Sequence, residues 1–394
     1  MKRICVFTGS RAEYGILKPL IDKINEHSDL SLSLLVSGMH LSPEFGLTYR
    51  DIERDGVVIN EKVEMLLSSD SPVGITKAIG LGMISYCEAI QRLCPDILLV
   101  LGDRFEAFSF ATAGYVSRVP IAHLHGGEAT FGLIDEGFRH CITKMSHLHF
   151  TSTETYRQKV IQMGECPESV FCVGALGIDA IRAMKFMAKD ELEKDLEIRF
   201  KEHNLLVTFH PVTLEHDSSE KHFKTLLEAL MMLQDTMILF TKTNADNDGR
   251  IINKMIDEFA ASNPSVSAAF SSLGQHRYMS LMKYVDAVVG NSSSGIIEAP
   301  SFNIGTVNIG DRQLGRVKAE SIIDCEPSLE GISKAFLKLY SEDFIRAVAE
   351  VTNPYDSGGA VLKIVEALAN CDLGKLGMKR FYDVIFNVKK KEGQ

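Results

Sequence analysis

The run Asp96-Ile-Leu-Leu-Val-Leu-Gly-Asp-Arg104 decides the fold of this chain. Its apolar residues are continuous and do not alternate with polar ones, which is typical of a parallel strand buried on both faces. This strand ends on an acid-bearing loop, and a second run, Val119–Leu124, ends on His125-Gly-Gly-Glu128. Because open α/β sheets bind ligands at the carboxyl ends of their strands, both loops are candidates for a functional site.

Short apolar runs of this kind alternate with amphipathic helical stretches along the chain. In the first half, strands are predicted at Ile4–Thr8, Leu30–Val36, Asp96–Leu101, Val119–Leu124, His147–Thr151 and Val170–Val173. After a charged, strand-poor stretch at 185–204, the series resumes at Leu205–Phe209, Met237–Thr241, Val266–Phe270, Asp286–Val289, Thr306–Ile309 and Ser321–Ile323.

The predicted fold class is therefore α/β, with two doubly wound, Rossmann-like domains. We expect an N-terminal domain over 1–184 that carries the acid-bearing loops and a C-terminal domain over 185–359. The last helical stretch, within about 360–394, is expected to pack back on the first domain.

The composition limits the classes of function. The chain has 394 residues, of which 45% are hydrophobic and 24% charged, and its net charge of −10 without a basic stripe argues against a nucleic-acid partner. The eight cysteines include no C-x-x-C pair, as expected for free thiols in a reducing cytosol. We expect a cytoplasmic protein that does not engage a membrane, since no apolar run approaches the length of a span.

Two glycine- and serine-containing turns, one in each predicted domain, have the composition of anion-binding loops. Thr8–Gly15 follows the first strand, and its Arg11 adds a charge suited to a diphosphate, although a plain strand-to-helix turn explains it equally well. Gly290–Gly295 contains three consecutive serines, and a later loop carries Arg312 toward the same place. Glu298 is a candidate acceptor for ribose hydroxyls, or alternatively the partner of a serine in a capping box. Together the two turns predict one ligand in an inter-domain cleft.

Three acids and two histidines at strand ends are the candidate catalytic residues. Asp103, Glu128 and Asp135 follow parallel strands, and the glycine pair before Glu128 would let a ligand approach the backbone closely. Clustered carboxylates push their pKa values apart, so that one acts as an acid while another acts as a base. His40 and His210 are as consistent with catalysis as with a structural role. No metal cluster and no redox motif is visible, so neither a metal nor a cofactor is expected.

Several segments together resemble a known family. They are Thr8-Gly-Ser-Arg-Ala-Glu-Tyr-Gly15, Gly38-Met-His40, Leu101-Gly-Asp-Arg104, His125-Gly-Gly-Glu128, Asp135-Glu-x-x-Arg-His140, Thr143-Lys-x-Ser-His147, Phe209-His-Pro-Val-Thr213, Gly290-Asn-Ser-Ser293 and Gly310-Asp-Arg-Gln313. In this order they resemble the hydrolysing UDP-N-acetylglucosamine 2-epimerases of bacterial sialic acid synthesis. The related non-hydrolysing epimerases carry a different sequence around the glutamate and the second acid.

The resemblance implies a two-domain fold like that of the B-type glycosyltransferases, and a homodimer or homotetramer. It implies conversion of a nucleotide sugar, UDP-N-acetylglucosamine, with water to N-acetylmannosamine and UDP, through a glycal that is rehydrated with inversion at C2. Asp103, Glu128 and Asp135 would be the catalytic acids. The candidate residues for binding UDP and sugar are Arg11, Arg104, Arg139, His210, Asn244, Asn291, Ser292, Ser293, Glu298 and Arg312.

Three alternatives remain open at this point. The same reaction on nucleotide-linked N,N′-diacetylbacillosamine would lead to a legionaminic-type acid. A glycosyltransferase of the same fold would have a similar nucleotide site but would require an acceptor. A nucleotide-sugar-binding protein without catalysis fits poorly with three clustered acids.

Overall fold

The structure, a computed structural model, describes residues 1–69, 71–131, 134–211, 218–243 and 247–385. The strands are β1 Lys2–Thr8, β2 Leu30–Ser37, β3 Glu61–Val63, β4 Ile97–Leu101, β5 Ile121–Leu124, β6 Leu148–Thr151, β7 Val170–Cys172, β8 His203–Thr208, β9 Thr236–Thr241, β10 Ser267–Phe270, β11 Ala287–Gly290, β12 Gly305–Ile309 and β13 Ile322–Cys325.

The helices alternate with these strands. They are α1 Arg11–Glu26, α2 Tyr49–Arg54, α3 Pro72–Leu93, α4 Phe105–Val116, α5 Asp135–Met145, α6 Glu154–Gln162, α7 Leu176–Ala183, α8 Lys189–Leu196, α9 Ser218–Leu230, α10 Asn247–Ser262, α11 Gly274–Leu281, α12 Ser294–Ile297, α13 Leu329–Leu339, α14 Glu342–Ala349, α15 Ala360–Asn370 and α16 Leu373–Leu376.

Both sheets are parallel and doubly wound, as predicted. The first has the strand order β3-β2-β1-β4-β5-β6-β7 and the second β10-β9-β8-β11-β12-β13. The apolar runs explain this arrangement, because every residue of β4, β5, β11 and β12 is buried, as strands covered on both faces require. The strand order reverses beside β1 and β4 in the first sheet and beside β8 and β11 in the second. The carboxyl ends of these four strands therefore mark the crevices where ligands bind in this fold.

The chain forms two compact units whose boundary differs from the predicted one. Residues 129–136 and 175–184 belong with the second unit rather than with the first. The backbone N–H of Ala175 donates to the carbonyl of Tyr355 at 2.9 Å, and Arg182 pairs with Asp356 at 2.5 Å. These contacts fasten α7 to the end of the second unit, which is why the boundary falls before α7.

The C-terminal helix packs on the first unit, as expected. From Ser357 onward, as far as the structure describes the chain, the residues belong with that unit. Lys2 Nζ donates to the carbonyls of Leu368, Ala369 and Cys371 at 3.2, 2.5 and 2.6 Å. A lysine that donates to the last carbonyls of a helix stabilises its C-terminal end, so Lys2 holds the end of α15 against β1.

One helix corrects the expectation that no segment approaches the length of a membrane span. In the described part of the chain, α3 alone is long and apolar enough to cross a membrane by length and composition. One face of α3 lies against α4, where Ser109 Oγ donates to the carbonyl of Ile79 at 2.8 Å. A Cβ at Gly82 would lie 2.6 Å from Ser109 Oγ, so glycine is required for this close approach.

Candidate active site

Arg139 joins two of the predicted catalytic loops in the first unit. Its guanidinium, 2% exposed, donates to the carboxylate of Asp103 and, through Nη1, to the backbone carbonyl of Glu128 at 2.7 Å. From the sequence, Arg139 was predicted to bind substrate. The structure buries it between the loops that follow β4 and β5, where its planar guanidinium donates to two acceptors at once. Arg139 thus fixes the separation of the loops that carry the two acids.

The side chain of Glu128 lies in a polar pocket that is almost closed to solvent. It is 5% exposed, and its Oε1 accepts hydrogen bonds from His125 Nδ1 at 2.9 Å and Ser152 Oγ at 2.8 Å. Neither His125 nor Ser152 was among the predicted site residues. The H-x-x-E spacing was a usable signal for His125, whereas Ser152 comes from the neighbouring strand and gave none.

The glycine pair before Glu128 packs closely against neighbouring helices. Gly127 has a φ of +78°, and a Cβ there would lie 2.6 Å from the carbonyl oxygen of Tyr156 in α6. A Cβ at Gly126 would lie 3.0 Å from Thr143 Oγ1. Close packing against α5 and α6 therefore explains both glycines.

His123 positions the residue before Asp103. Its Nε2 lies 2.7 Å from the carbonyl oxygen of Gly102, and its Nδ1 lies 3.1 Å from Thr143 Oγ1. A carbonyl only accepts, so Nε2 carries the proton and Nδ1 accepts from the threonine hydroxyl. Burial lowers the pKa of His123 to about 3, so the ring is neutral. The loop of Asp103 is thereby tied to α5 through a fixed tautomer.

The turn after β1 forms a helix cap. Ser10 Oγ accepts from the N–H of Glu13 at 3.4 Å, and Glu13 Oε2 accepts from the N–H of Gly9 at 2.6 Å. The structural reading of Thr8–Gly15 is therefore supported, and Gly9 is not a free donor for a phosphate. Burial raises the pKa of Glu13 to about 7. Arg11 remains 59% exposed, 3.8 Å from Asp51, and keeps its charge available for a ligand.

His40 and Arg104 have structural contacts. His40 is fully buried, with Nε2 3.0 Å from Thr8 Oγ1 and Nδ1 2.8 Å from Thr48 Oγ1, and burial lowers its pKa to about 4. Arg104 makes a bidentate pair with the buried Glu106, at 3.2 and 2.7 Å. Of the two readings that sequence analysis left open for His40, these contacts favour the structural one.

In the second unit, His210 and Asn291 bridge the ends of β8 and β11. The side chain of Asn291 accepts from the His210 N–H at 2.7 Å and donates to the His210 carbonyl at 2.8 Å. His210 Nδ1 lies 3.0 Å from Thr243 Oγ1. Burial and the charge of Arg312 lower the pKa of His210 to about 4, so its ring is neutral and offers a hydrogen bond rather than a charge.

Arg312 reaches the same loop. Its Nη1 donates to the carbonyl of Asn291 at 3.0 Å, and Gln313 Nε2 donates to the same oxygen at 2.8 Å. Burial lowers the pKa of Arg312, and Asp135 partly offsets this effect. The structure therefore groups Asp135 electrostatically with Arg312, within the unit to which residues 129–136 belong.

The sequence allowed two explanations for the serine run after β11, a phosphate-binding loop or a helix capping box, and the structure shows no capping box there. Ser293 is the N-cap of α12 and its side chain makes no cap hydrogen bond, while Ser292 Oγ accepts from the N–H of Ser294 at 3.3 Å. Glu298 stands at the C-cap of this short helix, near Gly177. Asn244, the remaining candidate, lies outside the described residues. Among the described residues, no group of three or more His, Cys, Asp or Glu side chains is arranged to hold a metal ion.

Comparison with known proteins identifies the family. The sequence matches the family model described as UDP-N-acetylglucosamine 2-epimerase over residues 22–369. It is 40% identical to the GDP/UDP-N,N′-diacetylbacillosamine 2-epimerase (hydrolyzing) of Campylobacter jejuni, across 97% of this chain and 99% of that protein. It is 36% identical to the polysialic acid biosynthesis protein P7 of Escherichia coli, across 98% of each. The chain belongs to the UDP-N-acetylglucosamine 2-epimerase family, whose members act on nucleotide sugars.

A solved structure supports the fold. The UDP-GlcNAc 2-epimerase from Neisseria meningitidis, determined with UDP-GlcNAc bound, matches with a TM-score of 0.79 at 17% identity, across 93% of this chain and 99% of that chain. The predicted pair of parallel-sheet α/β domains, like those of the B-type glycosyltransferases, is confirmed.

Proposed function

We propose that this protein is a hydrolysing 2-epimerase that converts a nucleotide-linked 2-acetamido sugar and water to the free 2-epimeric sugar and the nucleoside diphosphate. The observation that carries the proposal is the arrangement around Arg139, which holds Asp103 and the backbone of Glu128 at the carboxyl ends of β4 and β5. Two acids fixed at strand ends fit proton transfer, since general acid–base catalysis requires positioned groups.

The first unit supplies a base in this proposal. With the nucleoside diphosphate as leaving group, the C1–O bond breaks and its electron pair goes to the β-phosphate oxygen. A carboxylate takes the C2 proton, and the C2–H electron pair forms the C1=C2 bond of a glycal. Glu128 suits the role of base because two donors, on His125 and Ser152, hold its Oε1 in place as an acceptor.

Rehydration completes the reaction. Water adds at C1, and an acid delivers a proton to C2 from the face opposite to the one that lost it, which inverts C2. One proton leaves C2 and one returns from solvent, so no electrons are gained or lost and no redox cofactor is required. Asp103 and Asp135 are the candidate acids.

The second unit binds the nucleotide in this proposal. Arg312 offers a charge to the diphosphate beside the loop of Asn291, Ser292 and Ser293, and charge-assisted bonds from arginine to phosphate are strong. Developing charge on the departing diphosphate is stabilised by such a group. Glu298 and the neutral ring of His210 are the remaining candidates in this unit for hydrogen bonds to the nucleotide.

Two nucleotide sugars are candidate substrates. The relative at 40% identity is named for GDP- or UDP-linked N,N′-diacetylbacillosamine, and this favours the diacetylated sugar as the first candidate. The relative at 36% identity is named for polysialic acid biosynthesis, which favours UDP-N-acetylglucosamine and a role in sialic acid synthesis. For either substrate we propose a cytoplasmic homodimer or homotetramer without a cofactor.

The test uses UDP-N-acetylglucosamine and the UDP- and GDP-linked diacetylated sugar, each without an acceptor and in D2O. We expect release of the nucleoside diphosphate and a free 2-epimeric sugar with deuterium at C2, read by NMR. Retention of the original hydrogen at C2 contradicts the elimination. Turnover only after an acceptor is added indicates a glycosyltransferase, and binding without turnover indicates a binding protein.

A further inference from the structure

A buried group of charges fastens the C-terminal segment to the first unit. Glu165, 2% exposed, pairs with Lys379 at 2.7 Å, with Lys144 at 2.5 Å and with His149 at 3.0 Å. Burial raises the pKa of Glu165, but the hydrogen bonds from these three partners outweigh it and bring the pKa to about 2. The carboxylate therefore remains charged at neutral pH and holds both lysines.

Lys379 also closes the C-terminal end of α5. Its Nζ donates to the carbonyls of Thr143, Lys144 and Ser146 at 3.3, 2.6 and 2.5 Å. These carbonyls lie at the end of a helix, where no intrahelical donor is available and a cation is favoured. Lys379 comes from a segment more than 230 residues further along the chain, so this cap is a tertiary contact and not a local one.

The residues just after Lys379 in the sequence hold it in place. The N–H of Tyr382 donates to the carbonyl of Gly164 at 2.9 Å, and the ring of Phe381 covers Gly164 so closely that a Cβ has no room there. The ammonium of Lys144 lies 5.0 Å from the centre of the Phe381 ring. The segment 379–382 is therefore seated by backbone, ring and charge together.

A chain of hydrogen bonds runs from this cap to the predicted catalytic acid. Thr143, whose carbonyl accepts from Lys379, donates its hydroxyl to His123 Nδ1, and His123 Nε2 donates to the carbonyl of Gly102. Gly102 directly precedes Asp103, and Arg139, one turn before Thr143 on α5, contacts the carboxylate of Asp103. A shift of α5 would therefore displace Asp103 through both of these contacts.

We propose that Lys379 is a positioning residue for the proton-transfer step: by capping α5 it sets the register in which Arg139 and His123 hold Asp103. This inference rests on the proposed function for its catalytic readout. Through Lys379 the C-terminal segment affects catalysis. None of the described residues of this segment lies in the loops that follow the strands.

The test compares Lys379→Met with Lys375→Met. Lys375 is on the same segment, its side chain is 86% exposed, and it lies 3.9 Å from Asp372, so its variant is the matched control. We expect Lys379→Met to lower kcat by about 10- to 100-fold, the scale on which small misplacements act, with KM and the affinity for UDP within about twofold of wild type. Lys379→Arg, which keeps a charged donor, should recover part of kcat, and Lys375→Met should behave as wild type.

A second readout does not depend on turnover. Hydrogen exchange followed by mass spectrometry should show faster exchange in Lys379→Met over 135–146 and over 101–104, and no change in Lys375→Met. If Lys379→Met does not fold, Lys379→Gln, which keeps an N–H donor, is measured in the same two ways. A folded variant with wild-type kcat, or faster exchange over 135–146 without any change over 101–104, overturns the proposal. Wild-type protein that releases no nucleoside diphosphate from any of the sugars overturns the proposed function instead, and the exchange experiment still decides the role of Lys379.

Discussion

Glu128 is the residue with the most closely defined surroundings among the predicted acids. We expect Glu128→Gln to lower kcat by at least about 100-fold, because a positioned acid or base contributes on that scale. The affinity for UDP, measured by calorimetry, should change little. Glu154→Gln is the control, since Glu154 lies at the surface of α6 with its side chain 55% exposed. Turnover of Glu128→Gln at the wild-type rate would remove Glu128 from the mechanism.

Substitution of Arg312 tests the proposed binding of the nucleotide. Arg312→Ala removes a charge-assisted contact worth about 1.5–3 kcal/mol, so UDP should bind about 10- to 150-fold more weakly in the absence of sugar. The melting temperature of the unliganded protein should hardly change. Arg277→Ala provides the comparison, because Arg277 pairs with Asp195 at the surface of the same unit. Unaltered UDP binding by Arg312→Ala would contradict the assignment of this loop to the diphosphate.

The sequence predicted the positions of some site residues but not of others. Asp103, Glu128 and Asn291 follow strands, and a strand end has a known place in a parallel sheet, so their positions could be predicted. The burial of Arg139 could not be predicted, because it depends on how α5 packs against two loops. Ser152 follows β6 and Thr243 follows β9, and each contacts a site residue because two strands lie side by side in a sheet. The sequence pattern of one strand does not reveal which strand lies beside it.

At the level of elements, apolar runs predicted the central strands and amphipathic spacing predicted the long helices. The edge strand β3 was missed, because its three residues include Glu61 and Lys62 and only its pairing with Leu35–Ser37 makes it a strand. Helix α8 was read as part of a charged boundary, since just Leu192 and Leu196 are buried in it. Short elements at edges owe their structure to tertiary contacts, and local sequence carries little signal for them.

The exposed face of α3 predicts how copies of the chain associate. Val73, Leu81 and Ile84 on α3, with Tyr115 and Val116 at the end of α4, expose large apolar side chains, and Ile84 is 66% exposed. Large apolar side chains exposed together on neighbouring helices are typical of an interface. Since a homo-oligomer is proposed for this protein, we expect a second copy to cover the patch.

Sedimentation velocity checks this expectation. The double substitution L81E and I84E should shift the protein to monomer, whereas Leu337→Glu, at a 76% exposed position on α13, should not. A wild-type protein that is monomeric at micromolar concentration contradicts the prediction. Flotation of the wild type with lipid vesicles would assign the patch to a membrane instead.

On the scale of the whole molecule, the two units repeat one plan. In each, the strand order reverses beside the first strand, and polar residues of the site follow strands at or next to that point. These residues are Asp103 after β4 and Glu128 after β5 in the first unit, and His210 after β8 and Asn291 after β11 in the second. The repeated strand series made this duplication visible in the sequence. The assignment of residues 129–136 to the second unit was not visible, because it depends on contacts between distant parts of the chain.

Buried histidines give the whole protein a predictable response to acid. Burial lowers the pKa of His40, His147 and His210 to about 4 and that of His123 to about 3, whereas an unfolded histidine titrates near 6.5. As the pH falls below about 6.5, the unfolded state binds protons that the folded state does not, so the free energy of unfolding decreases. Glu13 acts in the opposite sense over this range, because its folded pKa of about 7 lies above its unfolded value.

These four histidines, together with the buried His149, whose pKa burial also lowers, outweigh one glutamate, so the net effect is a loss of stability on acidification. We expect the free energy of unfolding, from urea titrations at pH 7, 6 and 5, to fall by about 1–2 kcal/mol per pH unit after allowance for partial exposure of His147 and His210. His147→Gln should reduce this slope, because the unfolded chain then takes up one proton fewer. His276→Gln, at an exposed position on α11, should leave the slope unchanged. Stability that is flat between pH 7 and 5 would mean that these rings already bind protons in the folded protein, and the fixed tautomer of His123 beside Asp103 would then be wrong.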